Sequence, residues 1–487
     1  MEETLPGAPT DDRGERVILH VDMDCFYASC ERLKEPSLAD EAVVVGMGYE
    51  PGDTIGAVAT ASYEARAFGV ESAQPISQAL ERLPRMADAD ADDPDAPDPD
   101  EAGHYRPVDM AFYKEVAAEV KAVLHDVADT VREVSIDEAY LDVTDRTSWE
   151  TVDTGDGGSE AEPPTGDART LAEGFARHVR ERIEREAGVP ASVGVAPNMA
   201  TAKVASDHDK PEGLTVVPPG TVADFLAPLP VSDIHGVGPV TASDLADLGV
   251  ETAGDLAAAD PADLEARFGS RGREFHDRAN GRDDREVTPT GRPKSLSRES
   301  AGRTDDAEEQ REKVRALAAD VAERARSRDA MYRTIGVKVV RPPYDVNTRA
   351  ESLPGPVDDP DLVEEVALDL LSEFEGETVR KLGVRVSNLS FAAEEQVTLD
   401  GYEGASARDG DDDTDASDGD DAGTGEGDSG KSKSKSDDDG DGDDAVTRRT
   451  VSGDATLDEW ADEGDADATR ERRTRRRRGQ VDLNDFG

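Results

Sequence analysis

The sequence predicts an α+β protein, and three observations carry that prediction. Short apolar strand patterns alternate with helical patterns up to about residue 217, without the strict βαβ repeat of a doubly wound sheet. Residues 218–286 have the pattern of helices throughout. Strand and helix patterns then return together over residues 297–400.

Each element is predicted from its local pattern. Residues 17–21 form a short apolar β-type run that ends at Asp22, and Asn198 is placed as the N-cap of a helix that reaches about residue 206. The other predicted strands are 41–46, 55–60, an apolar segment at 131–143 that two acids interrupt, 192–196, 334–340 and 381–389. The other predicted helices are 62–68, 109–125, 169–187, 308–327 and 361–374.

The chain is strongly acidic. Its 487 residues include 111 Asp+Glu against 55 Lys+Arg, a formal net charge of −56, and its cations are 43 Arg and only 12 Lys. An acidic excess in ordered segments, with Arg preferred to Lys, indicates a surface adapted to strong salt. The alternative is an acidic interaction protein, a class that is usually poor in ordered apolar patterns. Because the Debye length falls to about 3 Å at about 1 M salt, the charge does not exclude a nucleic-acid ligand.

Composition excludes several protein classes. The chain contains no run of about 18 apolar residues, and its first residues are acidic, so neither a membrane span nor a signal peptide is predicted. Cys25 and Cys30 are too few for a disulfide framework or a zinc finger, and we expect both to be small buried side chains. The remaining class is a soluble protein of about three or four domains, expected to be cytoplasmic and monomeric.

Three stretches interrupt the globular pattern. Residues 87–103 and 145–169 are rich in Asp, Gly and Pro, and are predicted to be solvated surface insertions. Residues 401–479 are dominated by Asp, Gly and Ser and are predicted to be a disordered tail.

Two acidic clusters lie where apolar strand patterns end or are interrupted. Asp22 and Asp24 follow the first strand, and Asp137 and Glu138 lie inside the second apolar segment. Burying carboxylates there is costly unless cations or hydrogen bonds compensate. Acids brought together in this way form a hard-oxygen site suited to two Mg²⁺ ions about 3.5–4 Å apart. A single acid in so acidic a chain is weak evidence, and Asp24 is expected only to accept local hydrogen bonds.

Three further residues are candidates for contacts with phosphate. Tyr63 and Arg66 lie three apart on one helix face, where a phenol and a guanidinium could clamp a polyphosphate. Lys210 is one of few lysines and lies in a Pro/Gly-shaped loop after a helix. Taken singly, the first two could be a solvated surface pair and the third an ordinary turn lysine. His20 is predicted to be a packed core histidine rather than a ligand.

The second half of the chain contains candidate DNA contacts. Gly236 and Gly238, followed by a helical apolar pattern, fit a helix–hairpin–helix whose backbone N–H groups could approach a phosphate. In the last ordered segment Lys338, Lys381 and Arg385 lie opposite the apolar faces of two strands. A cationic sheet face can follow a phosphate backbone; the alternative is an ordinary solvated strand face.

Taken in order, these motifs resemble the Y-family translesion DNA polymerases of the DinB (DNA polymerase IV) type. The resemblance covers about residues 16–400 and rests on HVDMDCFYASCE, AVATASYEARAFGV, SIDEAYLDVT, SVGVAPNMATAKVASDHDKPEGL, IHGVG and KLGVRVSNL. It implies a polymerase fold shaped like a right hand, with these parts: palm 16–27 and 104–217, small fingers 28–86, helical thumb 218–286, linker 287–296 and α/β little finger 297–400. The two acidic insertions and the long tail depart from the family pattern.

The resemblance also implies roles for residues. Asp22 and Asp137 would ligate Mg²⁺ with help from the Met23 carbonyl, and Glu138 would be the essential acid at the primer 3′-hydroxyl. Residues 63, 66 and 210 would hold the triphosphate of the incoming dNTP. Tyr27 would be the steric gate that excludes ribonucleotides. The implied reaction is primer-template-directed dNTP addition with low fidelity and no proofreading.

The last eight residues, 480–487, resemble a clamp-binding peptide. Leu483 and Phe486 would fill an apolar pocket of a sliding clamp and Gln480 a neighbouring polar one, although the usual second aromatic residue is replaced by Gly487. A similar Leu/Trp spacing at 454–460 lacks the Gln. The run of arginines at 472–478 could touch DNA non-specifically or be only a solvated charge run.

Two other functions remain open at this point. A catalytically silent Y-family-like protein would bind DNA and partners without incorporating nucleotides, although the three intact acids argue against it. A helix–hairpin–helix scaffold or nuclease would bind or cleave DNA without synthesis.

Overall fold

A computed structural model describes residues 15–152 and 169–391 of the chain. The predicted tail and clamp-binding peptide, with most of the predicted insertion at 145–169, lie outside these residues. The chain divides into two compact units, the first of which ends at Thr290 and the second of which begins at Gly291. Across the described ranges, no helix is both long and apolar enough to cross a membrane.

The first unit alternates strands with helices and so has the predicted α+β character. Its strands are β1 Ile18–Met23, β2 Val43–Met47, β3 Ala57–Ala61, β4 His104–Pro107, β5 Thr130–Glu133, β6 Glu138–Asp142, β7 Ala191–Ala196 and β8 Leu214–Val216. Its helices are α1 Phe26–Lys34, α2 Tyr63–Ala67, α3 Ile76–Arg82, α4 Met110–Val127, α5 Leu171–Ala187, α6 Met199–His208, α7 Val222–Leu226, α8 Pro239–Ala246, α9 Ala253–Ala258, α10 Pro261–Phe268 and α11 Ser270–Ala279. The Asn198 prediction is confirmed, since its side chain accepts a hydrogen bond from the Thr201 backbone N–H.

The central sheet of the first unit has the strand order β5-β6-β1-β7-β8 and two different faces. Because side chains alternate along a strand, Leu19 and Val21 of β1 enter one apolar core, which includes residues of α4 and α5. Ile18 points the other way, into a core shared with residues of α6. His20 and Asp22 lie on the same face of β1 as Ile18. The alternation of side chains along the strand therefore places Asp22 on the face opposite the core that contains Leu19 and Val21.

A smaller sheet, β3-β2-β4, carries α2 and α3. Ser62 is buried between β3 and α2, where its hydroxyl oxygen accepts hydrogen bonds from the backbone N–H groups of Ala65 and Val43. This side chain both caps α2 and ties it to β2, which determines where the first turn of α2 lies.

The prediction of helix throughout 218–286 is wrong at its C-terminal end. Helices α7 to α11 end at Ala279, and residues 282–293 form neither helix nor strand. Gly281, with φ +72°, supplies the left-handed backbone that commonly ends a helix, and Pro289 and Pro293 follow it. Residues 282–286, between Gly281 and Pro289, are all charged, so they offer no apolar face along which the helix could continue.

The second unit is a four-stranded antiparallel sheet of order β11-β10-β12-β9 with two helices. Its elements are β9 Ser295–Thr304, α12 Ala307–Arg326, β10 Ala330–Arg341, β11 Asp345–Val357, α13 Pro360–Ser372 and β12 Val379–Phe391. Strands β10 and β12 confirm the predicted alternation, with Val337 and Val384 buried. Strands β9 and β11 were not predicted, because they are the sheet edges and carry mostly polar residues.

One glycine controls how closely α6 lies on the central sheet. A Cβ atom at Gly194 of β7 would lie 2.1 Å from the Ala202 carbonyl oxygen and 2.3 Å from the Ser206 backbone nitrogen. Both atoms belong to the α6 backbone, which cannot move aside as a side-chain tip can. The absence of a side chain at Gly194 therefore allows the helix to rest directly on the strand.

We expect Gly194→Ala to destabilise the protein by about 1–3 kcal/mol, the usual cost of overpacking a buried site. The matched control is Gly174→Ala, since Gly174 lies within α5 with no atom within 4 Å of its added Cβ. That change should instead stabilise the helix by about 0.5–1 kcal/mol. Urea unfolding of the full chain followed by circular dichroism measures both. Equal effects from the two substitutions would contradict the close approach of α6.

Candidate active site

The pairing of β1 with β6 brings two acids together across the sheet. Asp22 is the register partner of Glu138, and on its other side Asp22 pairs with Ser192 of β7. Like charges directly opposite each other on neighbouring strands repel unless something compensates them. The two acids that the sequence places 116 positions apart therefore form a single carboxylate pair that requires a cation.

Two lysines supply positive charge to this pair. The Lys203 ammonium lies 2.8 Å from Asp22 Oδ2 and 2.8 Å from Glu138 Oε2, and the Lys210 ammonium lies 2.8 Å from Asp22 Oδ1. Burial alone would raise the pKa of Asp22, but the two lysines hold it below its usual value. Glu138 follows the same pattern: burial opposes ionisation, yet hydrogen bonding from His20 and the charge of Lys203 lower its pKa. Both acids are therefore ionised near neutral pH.

His20 is fully buried, as predicted, but it also touches the acid pair. Its Nδ1 lies 2.8 Å from the Ser206 hydroxyl and its Nε2 lies 3.3 Å from Glu138 Oε2. Burial lowers the pKa of the ring. His20, Asp22 and Glu138 each offer a ligand atom, and these atoms all lie within 4.8 Å of one another.

The third predicted acid, Asp137, lies beside the pair but faces its own turn. It precedes β6, and its carboxylate accepts a hydrogen bond of 2.5 Å from the Ser135 hydroxyl. Burial, together with the negative charges of Asp22 and Glu138, raises its pKa above the usual value. The Asp137 backbone carbonyl accepts a hydrogen bond from the Met23 N–H at 2.9 Å. The structure thus brings Asp22 and Glu138 into direct cation contact and leaves Asp137 as an under-compensated neighbour.

The buried Asp24 carboxylate connects three chain segments. It accepts hydrogen bonds from the Tyr63 hydroxyl at 3.0 Å, from the Ser192 hydroxyl at 2.9 Å, and from the Glu212 backbone N–H at 2.7 Å. The expectation that Asp24 only accepts local hydrogen bonds is therefore wrong, because all three donors come from distant parts of the sequence. Asp24 therefore ties together the chain segments that surround the acid pair.

Tyr63 and Arg66 contact each other on α2, as their spacing predicts. The Arg66 guanidinium lies 4.6 Å from the centre of the Tyr63 ring, and its Nε donates to the Ala61 carbonyl at 3.0 Å. Burial and the Asp24 charge raise the pKa of Tyr63, so this hydroxyl is a donor at any working pH. The exposed guanidinium retains donors for an anion.

Tyr27 lies in the first turn of α1, stacked on the ring of Tyr113 with centroids 4.6 Å apart and planes 17° apart. The buried Tyr113 hydroxyl donates to Glu31 at 2.6 Å, and Glu31 accepts from Lys34 at 2.7 Å. Burial, with the Asp137 charge, raises the pKa of Tyr27 to about 12. The ring is therefore uncharged and held flat by a fixed neighbour.

The predicted helix–hairpin–helix glycines lie before α8. Gly236 has φ +94° and Gly238 is the N-cap residue of α8. A Cβ atom at Gly236 would lie 2.7 Å from Nη1 of Arg278, and that guanidinium donates to the His235 carbonyl at 2.8 Å. Gly236 is thus required by its backbone angle, and the Arg278 side chain packs over it.

Two of the predicted cations in the second unit are already paired. Lys338 lies 2.9 Å from Glu299 Oε1, and Lys381 contacts Glu299 Oε2. Arg385 donates to the Ser295 hydroxyl at 2.8 Å and is exposed. The cationic face is present as predicted, but Glu299 partly neutralises it.

Sequence reasoning missed Lys203 as a site residue. A signal was available: lysine is scarce in this chain, and Lys203, Asp207 and Lys210 are spaced four and three residues apart, so they share one side of α6 and its exit. Asp207 does accept from both lysines, at 3.4 and 2.9 Å.

The donor set fits a divalent cation. Ionised, partly buried carboxylate oxygens on adjacent strands are the kind of ligand that hard cations prefer. Asp22, Glu138 and the neighbouring Asp137 could supply them. The predicted clamp-binding residues Gln480, Leu483 and Phe486 lie outside the described residues.

Comparisons with known families agree with this geometry. Residues 21–207 match the impB/mucB/samB family, and residues 293–400 match the impB/mucB/samB family C-terminal domain. Residues 219–250 match the IMS family HHH motif, which confirms the predicted helix–hairpin–helix.

Curated relatives and solved structures point the same way. DNA polymerase IV of Halobacterium salinarum is 59% identical over 410 residues, covering 84% of this chain and 93% of the relative. DNA polymerase IV of Methanoculleus marisnigri is 41% identical over 390 residues, covering 80% and 98%. A Y-family DNA polymerase chimera of Dbh and Dpo4 aligns with a TM-score of 0.63 at 26% identity, covering 77% of this chain and 99% of the chimera. The chain therefore belongs to the impB/mucB/samB family and is a translesion DNA polymerase of the Y-family.

Proposed function

We propose that this polymerase adds dNTPs to a primer 3′-hydroxyl on a DNA template by two-metal phosphoryl transfer with Mg²⁺, at low fidelity and without proofreading. The observation that carries the proposal is the cross-strand pair Asp22–Glu138, two ionised carboxylates that share one cation contact. A solved insertion ternary complex of Dbh DNA polymerase aligns with a TM-score of 0.52, which supports primer-template DNA and dNTPs as ligands.

The acids would hold two Mg²⁺ ions. Asp22 and Asp137 would be the ligands, assisted by the Met23 carbonyl, and Glu138 would serve the ion at the primer 3′-hydroxyl. Bound there, the ions would supply charge stabilisation at the attacking and leaving oxygens. The protein's own contribution is to place the two carboxylates at fixed register on adjacent strands, so that no rearrangement is needed when the charge develops.

Three side chains at the rim would bind the triphosphate. Tyr63 and Arg66 lie together on α2, and Lys210 lies beside Asp22 at 2.8 Å. Arg66 offers forked donors and Lys210 a point charge, the two kinds of cation that phosphates use. Tyr63 and Arg66 lie on α2, whereas Lys210 lies in the loop after α6. The phosphates would therefore bind between these two segments.

Replacing Glu138 tests the reaction directly. We expect Glu138→Gln to reduce primer extension with Mg²⁺ at molar salt by about 10²–10³-fold, the usual cost of removing one pre-organised charge-stabilising group. Exposed Glu119 on α4 provides the matched control, and Glu119→Gln should leave extension unchanged. An active wild type with an unaffected Glu138→Gln would reject the site. An inactive wild type that still binds DNA would favour the catalytically silent alternative.

The acid cluster makes a second prediction, on stability without metal. Because the pKa of Asp137 is raised in the folded protein, its ionised form destabilises the fold above that pKa. Asp137→Asn should therefore raise the melting temperature in EDTA at pH 7 by about 2–4 °C, the shift that about 1 kcal/mol produces. The gain should shrink as the pH falls through the raised pKa and be gone at about pH 3, below the ordinary Asp value of about 3.9, where Asp is mostly protonated in both states.

Differential scanning calorimetry of the full chain measures this effect. Asp145→Asn is the matched control, since Asp145 is exposed a few residues further along the chain, and we expect no change from it. A lower melting temperature for Asp137→Asn at pH 7 would mean that the ionised carboxylate stabilises the fold, contrary to the expectation.

Tyr27 is proposed as the steric gate. Its ring is uncharged and fixed by stacking on Tyr113, as a rigid barrier to a ribose 2′-hydroxyl would need to be. The proposal requires the ring and not its hydroxyl, which separates it from a hydrogen-bonding role.

Substitution at Tyr27 should change the choice of sugar. We expect Tyr27→Ala to raise incorporation of rNTP relative to dNTP by about 10–200-fold, the range that one steric difference in a pocket supports. Tyr27→Phe keeps the ring and should retain the wild-type ratio. Single-nucleotide insertion kinetics with both sugars supply the numbers; an unchanged ratio in Tyr27→Ala would remove the assignment.

Binding of DNA is proposed for both units. In the first unit the N–H groups near Gly236 and Gly238 would contact phosphate, and in the second unit Lys338, Lys381 and Arg385 would do so. The proposed parts are palm 16–27 and 104–217 with insertions at 87–103 and 145–169, fingers 28–86, thumb 218–286, linker 287–296 and little finger 297–400. The match to the IMS family HHH motif supports the thumb assignment.

We propose further that the enzyme is a cytoplasmic monomer recruited by a sliding clamp of the PCNA type. Residues 480–487 would bind the clamp through Gln480, Leu483 and Phe486, and 401–479 would link them to the second unit. The support is the spacing of one polar and two apolar anchors at the end of a low-complexity segment.

Deleting residues 480–487 should weaken clamp-stimulated synthesis at least about tenfold, the equivalent of about 1.4 kcal/mol of lost binding. Extension without the clamp should remain at the wild-type rate. Asn484→Ala, at a position between the proposed anchors, is the control and should keep the stimulation. If both kinds of synthesis fell equally, the peptide would not be a recruitment signal.

A further inference from the structure

Lys203 occupies an unusual position for a lysine. Its ammonium lies 2.8 Å from a carboxylate oxygen of Asp22 on β1 and 2.8 Å from a carboxylate oxygen of Glu138 on β6. A carboxylate oxygen of Asp207 lies 3.4 Å from the same ammonium. Its side chain is 22% exposed. One positive charge therefore bridges two acids on different strands, at the place where a divalent cation would meet the same oxygens.

The fold holds this lysine in place. Helix α6 lies against β7 at Gly194, which has no Cβ atom to keep the helix away. The Asn198 side chain caps the start of the helix, and the Ser206 hydroxyl donates to the Lys203 carbonyl at 2.7 Å. Lys203 is thus presented to the acids by a helix whose distance from the sheet is set by close backbone packing.

The positive charge of Lys203 compensates the negative charge of the carboxylates around it. Asp22 and Glu138 are directly opposite each other, and Asp137 adjoins them. Without a cation, these carboxylates would repel one another in a partly buried site. A lysine cannot leave with solvent or be removed by a chelator, so its charge is present whether or not metal is bound.

We propose that Lys203 is a built-in counter-cation, which holds Asp22 and Glu138 together in the metal-free enzyme and competes with divalent metal for the same two carboxylates. The inference rests on the proposed metal site and adds to it. Its consequence is that the site is assembled before metal binds, at the expense of metal affinity.

A counter-cation differs from a lysine with a purely structural role in how its removal affects stability and metal affinity. Removing the charge should destabilise the metal-free protein, because Glu138 then loses its ammonium partner and Asp22 keeps only that of Lys210. The same change should tighten metal binding, because nothing competes for the carboxylates and no ammonium repels the incoming ion. A purely structural lysine would lower stability equally with and without metal, and its removal would not improve affinity.

The experiment measures Mn²⁺ binding to the full chain by electron paramagnetic resonance at fixed KCl concentration, without DNA or nucleotide. We expect Lys203→Met, which keeps a similar stem and removes the charge, to bind Mn²⁺ about tenfold more tightly, equivalent to about 1.4 kcal/mol. Lys203→Arg keeps the charge and should bind as the wild type does. Lys313→Met removes a lysine of the second unit that pairs with Glu309 at 2.8 Å and whose side chain is 26% exposed, and should change nothing.

Thermal unfolding in EDTA and in saturating Mn²⁺ provides the second readout. Lys203→Met should melt below the wild type in EDTA, and the gap should narrow in Mn²⁺. Affinity that is unchanged or weaker in Lys203→Met, or an equal loss of stability in both conditions, would overturn the role of Lys203 alone. Asp22→Asn distinguishes the other failure: if it binds Mn²⁺ as tightly as the wild type, the proposed metal site itself is wrong.

Discussion

The rest of the site depends on one electrostatic constraint, the repulsion between Asp22 and Glu138. Antiparallel pairing of β1 with β6 places these carboxylates directly opposite each other, and neither strand can slip without turning its side chains to the other face of the sheet. Two lysines contact the carboxylate pair, and His20 lies against Glu138. The register of two strands therefore assembles one concentrated negative charge from residues that are far apart in the sequence.

Strand periodicity made the acids predictable. Carboxylates that interrupt apolar runs must either be compensated or be functional, and that argument selected Asp22, Asp137 and Glu138 from 111 acidic residues. Lys203 escaped prediction because its partners come from two strands, and only the three-dimensional register shows that they face one helix. Its traces in the sequence were the scarcity of lysine and the spacing of Lys203, Asp207 and Lys210 in steps of four and three residues.

The second unit shows the complementary limit. Its inner strands β10 and β12 alternate cleanly and were predicted, whereas the polar edge strands β9 and β11 have no apolar face to detect. Missing β9 also meant missing Glu299, which lies on it and contacts Lys338 and Lys381. The sheet face that carries Lys338 and Lys381 is therefore less positive than the sequences of β10 and β12 alone indicate, because β9 places Glu299 beside them.

The buried carboxylate of Asp24 has a mechanical consequence. Hydrogen bonds from Tyr63, Ser192 and the Glu212 backbone join helix α2, the central sheet and the turn that contains Lys210. A displacement of α2 is therefore transmitted to that turn through a single side chain of few rotatable bonds. The positions of Tyr63 on α2 and of the turn that contains Lys210 are therefore coupled through one buried carboxylate.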